Sequence, residues 1–144
     1  MTDRALGLMG LMRRAGAIEI GTDRACDALR DGKARLLLLA SDAGENAAAR
    51  VERTAEGRSA VLLRLPFTKT QLSQSLGAGD CAAAAVTDIG FAQALADRLA
   101  EEDAESYSAA AGEIRAKREK IELRKKSKGS KGQPKKTGKR RTDI

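Results

Sequence analysis

Residues 21–42, "GTDRACDALRDGKARLLLLASD", decide the fold. Gly21 turns the chain and Thr22 is a suitable N-cap. Ala25, Cys26, Ala28 and Leu29 then recur at the spacing of one helical face. Gly32 stops that helix. "RLLLLA", residues 35–40, follows as a strand apolar on both faces, the pattern of a central strand covered by helices on two sides.

The same cycle recurs outward from this cassette. Upstream, residues 4–14 place Ala5, Leu6, Leu8, Met9, Leu11 and Met12 on a wide apolar helical face that Ala15-Gly16 ends. Ala17 to Ile20 reads as a short strand. Downstream, Gly44 to Glu56 reads as a helix with Ala47, Ala48, Val51 and Ala55 inward, and "AVLLRL" (60–65) as a buried strand ended by Pro66. Thr68 and Gln71 form a capping box for a short helix ending at Gly77. "CAAAAV" (81–86) is another strand, and Thr87-Asp88 caps a helix carrying Ala92, Leu95, Ala96 and Leu99 on one side. Alternating helices and strands predict a three-layer α-β-α sandwich with a mixed central sheet.

Composition narrows the function. Aromatics make up 2% of the 144 residues, so alanine, leucine and valine must fill the core. With no histidine for acid–base work, no nucleophile paired to a base and carboxylates that lie at helix starts, an enzymatic reading fares badly, and a non-enzymatic role without a cofactor is expected. Cys26 and Cys81 match no metal-ligand spacing and read as buried thiols. No uncharged apolar run is long enough to span a bilayer. Arg13-Arg14 follows the first apolar segment rather than preceding it, the wrong order for a secretory signal. The expected location is the cytoplasm.

Charge is unevenly placed. Residues 1–100 hold 13 Lys and Arg against 12 Asp and Glu, a net +1, out of +7 for the whole chain. Residues 101–144 hold 14 against 8, a net +6. The division this suggests is a domain over 1–102, then a charged linker and basic tail over 103–144. "EEDAESYSAAAGEIRAKREKIELRKK" (101–126) can extend as a solvated helix, but its apolar stripe is too thin to hold it alone in water. Residues 127–144, "SKGSKGQPKKTGKRRTDI", have little to bury and are expected to be disordered in isolation. Lys125, Lys126, Lys128, Lys131, Lys135, Lys136, Lys139, Arg140 and Arg141 are the expected contacts to a polyanion. Without interleaved aromatics they act on phosphates and not on bases.

Three stretches in order, "RRAGAIEIGTDRACDALRDGKARLLLLASDAGEN" (13–46), "LRLPFTKTQLSQSLG" (63–77) and "AAAVTDIGFAQALA" (83–96), resemble the kink-turn-binding ribosomal-protein superfamily, in particular its small bacterial members. The resemblance covers roughly residues 4–100. It implies an RNA-binding protein that recognises structured RNA, ribosomal RNA included, and so an association with ribosomes. A monomer is favoured.

Two loops would carry that binding by resemblance. The first is Gly21, Thr22, Asp23 and Arg24 with Asp27 one turn on; the second is Leu76, Gly77, Ala78 and Gly79. Lys33 and Arg35, just after Gly32, are further candidates. Where the family usually carries an amide or base, then an acid or amide, then a lysine, this chain has Asp23, Arg24 and Asp27. "LGAGDC" (76–81) lacks the apolar residues the family sets against a flipped-out base. Two other readings therefore stand beside RNA binding by the loops. One is a protein-interaction module of the same fold whose RNA surface has decayed. The other is an accessory RNA-binding subunit of an RNA-modification system.

Overall fold

The computed structural model describes residues 2–131 except Ser59 and Asp80. Its elements follow the order α1 (Thr2–Arg14), β1 (Ile18–Ile20), α2 (Thr22–Arg30), β2 (Leu36–Leu39), α3 (Glu45–Ala55), β3 (Val61–Arg64), α4 (Lys69–Leu76), β4 (Ala83–Val86), α5 (Ile89–Glu102) and α6 (Ala104–Lys131). The expected mixed α/β sandwich is present. The sheet order is β1-β4-β2-β3. β2 and β3 run parallel, and β4 lies antiparallel between β1 and β2.

Alternation along the strands makes the layers. Leu36 and Leu38 of β2, with Ala84 and Val86 of β4, face one core containing Met9, Met12, Phe67, Leu72 and Leu95. Leu37, Leu39, Ala83 and Ala85 face the other, against Ala25, Cys26, Leu29 and Val51. The run of leucines is buried throughout because β2 is interior to the sheet and both of its faces are covered. The alanines of β4 let helices approach closely, which is how the interior closes with so few rings. Cys26 and Cys81 are both buried.

The helix ends explain the boundaries. Thr68 accepts from Gln71 N–H at 3.1 Å, and the Thr68 N–H donates to Gln71 Oε1 at 2.9 Å, completing the capping box. Asp88 Oδ1 accepts from the Gly90 and Phe91 N–H groups at the start of α5. Thr22 does not cap α2, contrary to the sequence reading. The helix already includes Thr22, and its N-cap is Gly21, which makes no side-chain cap bond. Gly21 has φ 112° and ψ 150°, a conformation that disfavours any side chain.

By contacts the chain divides into residues 1–114 and residues 115–144. Within the first unit, Tyr107, Ala110, Ala111 and Ile114 of α6 join the same core as α1, α4 and α5. Their spacing of three, one and three residues is a helical stripe, held by packing where propensity alone would fail. The Tyr107 hydroxyl donates to the Arg64 carbonyl at 2.8 Å. Burial, with Asp103 adding to it, pushes the phenol above its ordinary pKa. In the second unit, helical backbone continues to Lys131, so the first five residues of the stretch expected to lack order are helical. Extending an existing helix needs no new nucleus, and lysine and arginine favour it. Lys135, Lys136, Lys139, Arg140 and Arg141 lie outside the described residues.

Candidate nucleic-acid interface

One end of the sheet gathers the two candidate loops. β1 leaves the sheet at Ile20, opposite Ala84, and the next residue, Gly21, donates its N–H to the Ala83 carbonyl at 2.9 Å. The Gly21 turn is thereby tied to the strand that receives the Gly77 loop. The Gly21 carbonyl accepts from Ala25 N–H at 2.9 Å, which starts α2 beside that bond. Gly21 is buried, Thr22 is half-buried, and Asp23, Arg24 and Asp27 are exposed.

The second loop has its own supports. Gly77 ends α4 in the left-handed region at φ 67°. Ser73 Oγ donates to the Ala78 carbonyl at 2.6 Å, holding the loop against the last turns of α4. Leu76 is buried, Ala78 half-buried and Gly79 exposed. Arg13 of α1 belongs to this loop as well: a Cβ placed on Gly77 would stand 3.1 Å from Arg13 Nη1. The sequence places Arg13 at a helix end but not against a loop more than sixty residues later. The loop 40–44 sits at the same end, where Ala40 N–H donates to the Ala82 carbonyl and Asp42 Oδ1 accepts from Lys69 N–H at 2.8 Å.

Lys33 and Arg35 are elsewhere. Arg35 N–H donates to the Val86 carbonyl, at the end of the sheet where β2 begins and β4 finishes. The length of β2 separates them from the Gly21 and Gly77 loops. Lys33 is exposed and Arg35 is half-buried.

The acidic residues of α2 are not bare. Asp23 is ion-paired with Arg50 of α3. Asp27 pairs with Arg30 at 3.1 Å on its own helix. The hydrogen bond that Arg50 donates to Asp23, then the Asp23 charge, raises the Arg50 pKa; desolvation opposes this, and Cys26 and Asp27 add smaller contributions. Arg24 has no ion pair or side-chain hydrogen bond among the described residues. The first turn of α2 therefore presents one unbalanced cation and unpaired backbone N–H groups, a combination suited to phosphate. Nothing in the 21–42 cassette signals this pair, because Arg50 is supplied by a different helix, α3.

Among the described residues no group of His, Cys, Asp and Glu could hold a metal ion. Nor is any described helix long and apolar enough to cross a membrane.

The fold and the paired loops define an α-β-α sandwich with a loop-built rim at one end of its sheet. It is shared with the Giardia lamblia 15.5 kD RNA-binding protein at a TM-score of 0.53 and 17% identity, over 69% of this chain and 84% of that one. A Bacillus halodurans protein of unknown function matches at a TM-score of 0.59 and 25% identity, over 65% of this chain and 93% of its own. No protein-family model matches the sequence. The RNA-binding protein YlxQ of Bacillus subtilis is 32% identical over 96 residues, which span 64% of this chain and 91% of YlxQ. The chain belongs to the YlxQ family, within the superfamily that its sequence resembles.

Proposed function

We propose that this protein binds structured RNA through the rim formed by residues 21–24 and 76–79. The basic segment from Lys125 onward adds phosphate contacts without sequence preference. The observation that carries the reading is the bond from Gly21 N–H to the Ala83 carbonyl, which ties the Gly21 turn to the strand that the second loop enters. Membership of the YlxQ family supports it, since that relative is named an RNA-binding protein.

The chemistry is division of labour. The rim offers shape: backbone donors at the start of α2, placed by the buried Gly21 turn, and the Arg24 guanidinium with its fork of donors. Folded RNA is recognised through such local shape and its splayed nucleotides. The tail offers charge, which binds any phosphate chain and weakens steeply with salt. A kink-turn or another bulged element, within ribosomal RNA, is the target class that the resemblance favours. Ribosome association, cytoplasmic residence, a monomeric state and action without a cofactor complete the proposal.

The test is a competition titration of the full chain against a kink-turn RNA and an unstructured RNA of equal length. Preference for the folded RNA, reduced by about 1–3 kcal/mol in Arg24→Ala, is the expected result. One observation favours the protein-interaction reading instead: Asp23 and Asp27 stand exposed at the rim. Equal binding of both RNAs by wild type and variant would select it.

A further inference from the structure

Asp23 and Asp27 are four residues apart on α2, so they share one exposed edge of the helix. Ala25, Cys26, Ala28 and Leu29 of the same helix are buried against the sheet and α3. On α3, Ala48 and Val51 are buried, and Arg50 stands beside Val51 on the exposed flank. Packing of the two apolar stripes thus sets Arg50 across from the first turn of α2, where Asp23 meets it.

The pair is too exposed to be explained by stability. The Arg50 side chain is 44% accessible and that of Asp23 is 80% accessible. Ion pairs in such settings contribute little to folding and are screened by salt. Their geometric consequence is larger. A carboxylate engages one edge of a guanidinium and leaves its other donors free, and a phosphate oxygen can take those. A long, mobile side chain is meanwhile held near the rim.

Resting on the RNA-binding reading, we propose that Asp23 is a positioning residue. It holds Arg50 of α3 at the first turn of α2, so that Arg50 and Arg24 together contact RNA phosphates at the rim. The acid at residue 23, where the family usually carries an amide or base, is then no loss of cationic surface. It recruits a cation from the neighbouring helix. Asp27 is balanced by Arg30 and takes no part in the contact.

The experiment is a double-mutant cycle on the full chain, with a kink-turn RNA as probe and unlabelled unstructured RNA in excess to occupy the tail. Arg50→Ala should weaken binding about tenfold or more, as for a charge-assisted contact. It should also make the slope of log K against log salt shallower by about 0.7–0.9, one phosphate contact. Arg50→Lys should restore the slope and part of the affinity. Asp23→Asn should weaken binding in the wild-type background, although it removes an anion. In the Arg50→Ala background it should weaken nothing. Thermal midpoints should stay close to wild type throughout. Equal loss from Asp23→Asn in both backgrounds would mean that Asp23 meets the RNA itself, overturning the proposal. An Arg50→Ala variant with wild-type affinity and slope would overturn it while leaving RNA binding by the rim intact. Absence of any wild-type preference for the folded RNA would remove the RNA reading, and this inference with it.

Discussion

The Tyr107 hydroxyl reaches across from α6 to the Arg64 carbonyl at the end of β3, 2.8 Å away. β3 is an edge strand, so this bond satisfies a carbonyl that no further strand pairs from outside. Tyr107→Phe keeps the ring and removes the donor. The expected cost is about 0.5–1.5 kcal/mol of unfolding free energy, measured by urea titration at neutral pH.

The same phenol gives stability a dependence on alkaline pH. Its pKa is raised in the folded chain by burial, then by Asp103. The folded state therefore keeps a proton that the unfolded state has already lost. The stabilisation is complete below the unfolded pKa of about 10 and disappears as pH rises through the higher folded value. Above pH 10 the wild type should lose stability faster than Tyr107→Phe. The chain has one tyrosine and no tryptophan, so ultraviolet titration reads this phenol directly. A phenol titrating at its unfolded value in the folded protein would contradict the argument.

Gly21 and Thr22 should respond in the opposite order to that expected of an ordinary cap. Gly21 is the N-cap at φ 112°, with its N–H committed to Ala83. Gly21→Ala forces a side chain into a sparsely populated backbone region, at about 1–3 kcal/mol. Thr22→Ala removes no cap bond and should cost under about 0.5 kcal/mol. Thermal unfolding of both variants checks the ranking; a larger loss from Thr22→Ala would restore the threonine as the cap.

The contrast with Thr68 shows where sequence is legible. There the capping box lies within four consecutive residues, and its local signal survives folding unchanged. At Gly21 the local signal pointed to threonine, but the tie to Ala83 comes from β4 and settles the backbone. "RLLLLA" was readable because burial on two faces leaves no polar alternation. The rim was half readable. Its loops are continuous in sequence, whereas Arg13 and Arg50 arrive from other helices. Lys33 and Arg35 belong to the same cassette as Gly21, yet β2 carries them to the other end of the sheet. The core stripe of α6 was faint because two of its four members are alanines between Tyr107 and Ile114.

Thr68→Ala tests how far the local signal matters. It removes the Thr68 hydroxyl that accepts from Gln71 N–H at the start of the eight-residue α4, which has few turns to share the loss, and leaves the backbone N–H of residue 68 donating to Gln71 Oε1. About 1 kcal/mol of stability should be lost. Because α4 delivers Leu76 and Gly77 to the rim, hydrogen exchange should also quicken across residues 69–79. A variant as protected there as wild type would show that packing of Leu72 and Leu76 alone holds the helix.

Cutting the chain at two different places separates fold, rim and tail. Ending it after Glu102 removes Tyr107 and Ile114 from the core, and Ile114 is fully buried. Those two side chains alone represent about 3–6 kcal/mol of apolar burial, so this shortened chain should unfold at a much lower temperature. Ending it after Arg124 keeps them and removes nine cations, Lys125 to Arg141. If about eight of these meet phosphates on single-stranded RNA, the slope of log K against log salt should become shallower by about 6. Most affinity for unstructured RNA should go with it. Preference for a folded RNA should remain, because shape is read at the rim and not by the lysines. A salt titration of the full chain and the chain ending at Arg124, each against one folded and one unstructured RNA, decides the matter. If the shorter chain stayed folded by circular dichroism and lost that preference, recognition would reside in the tail.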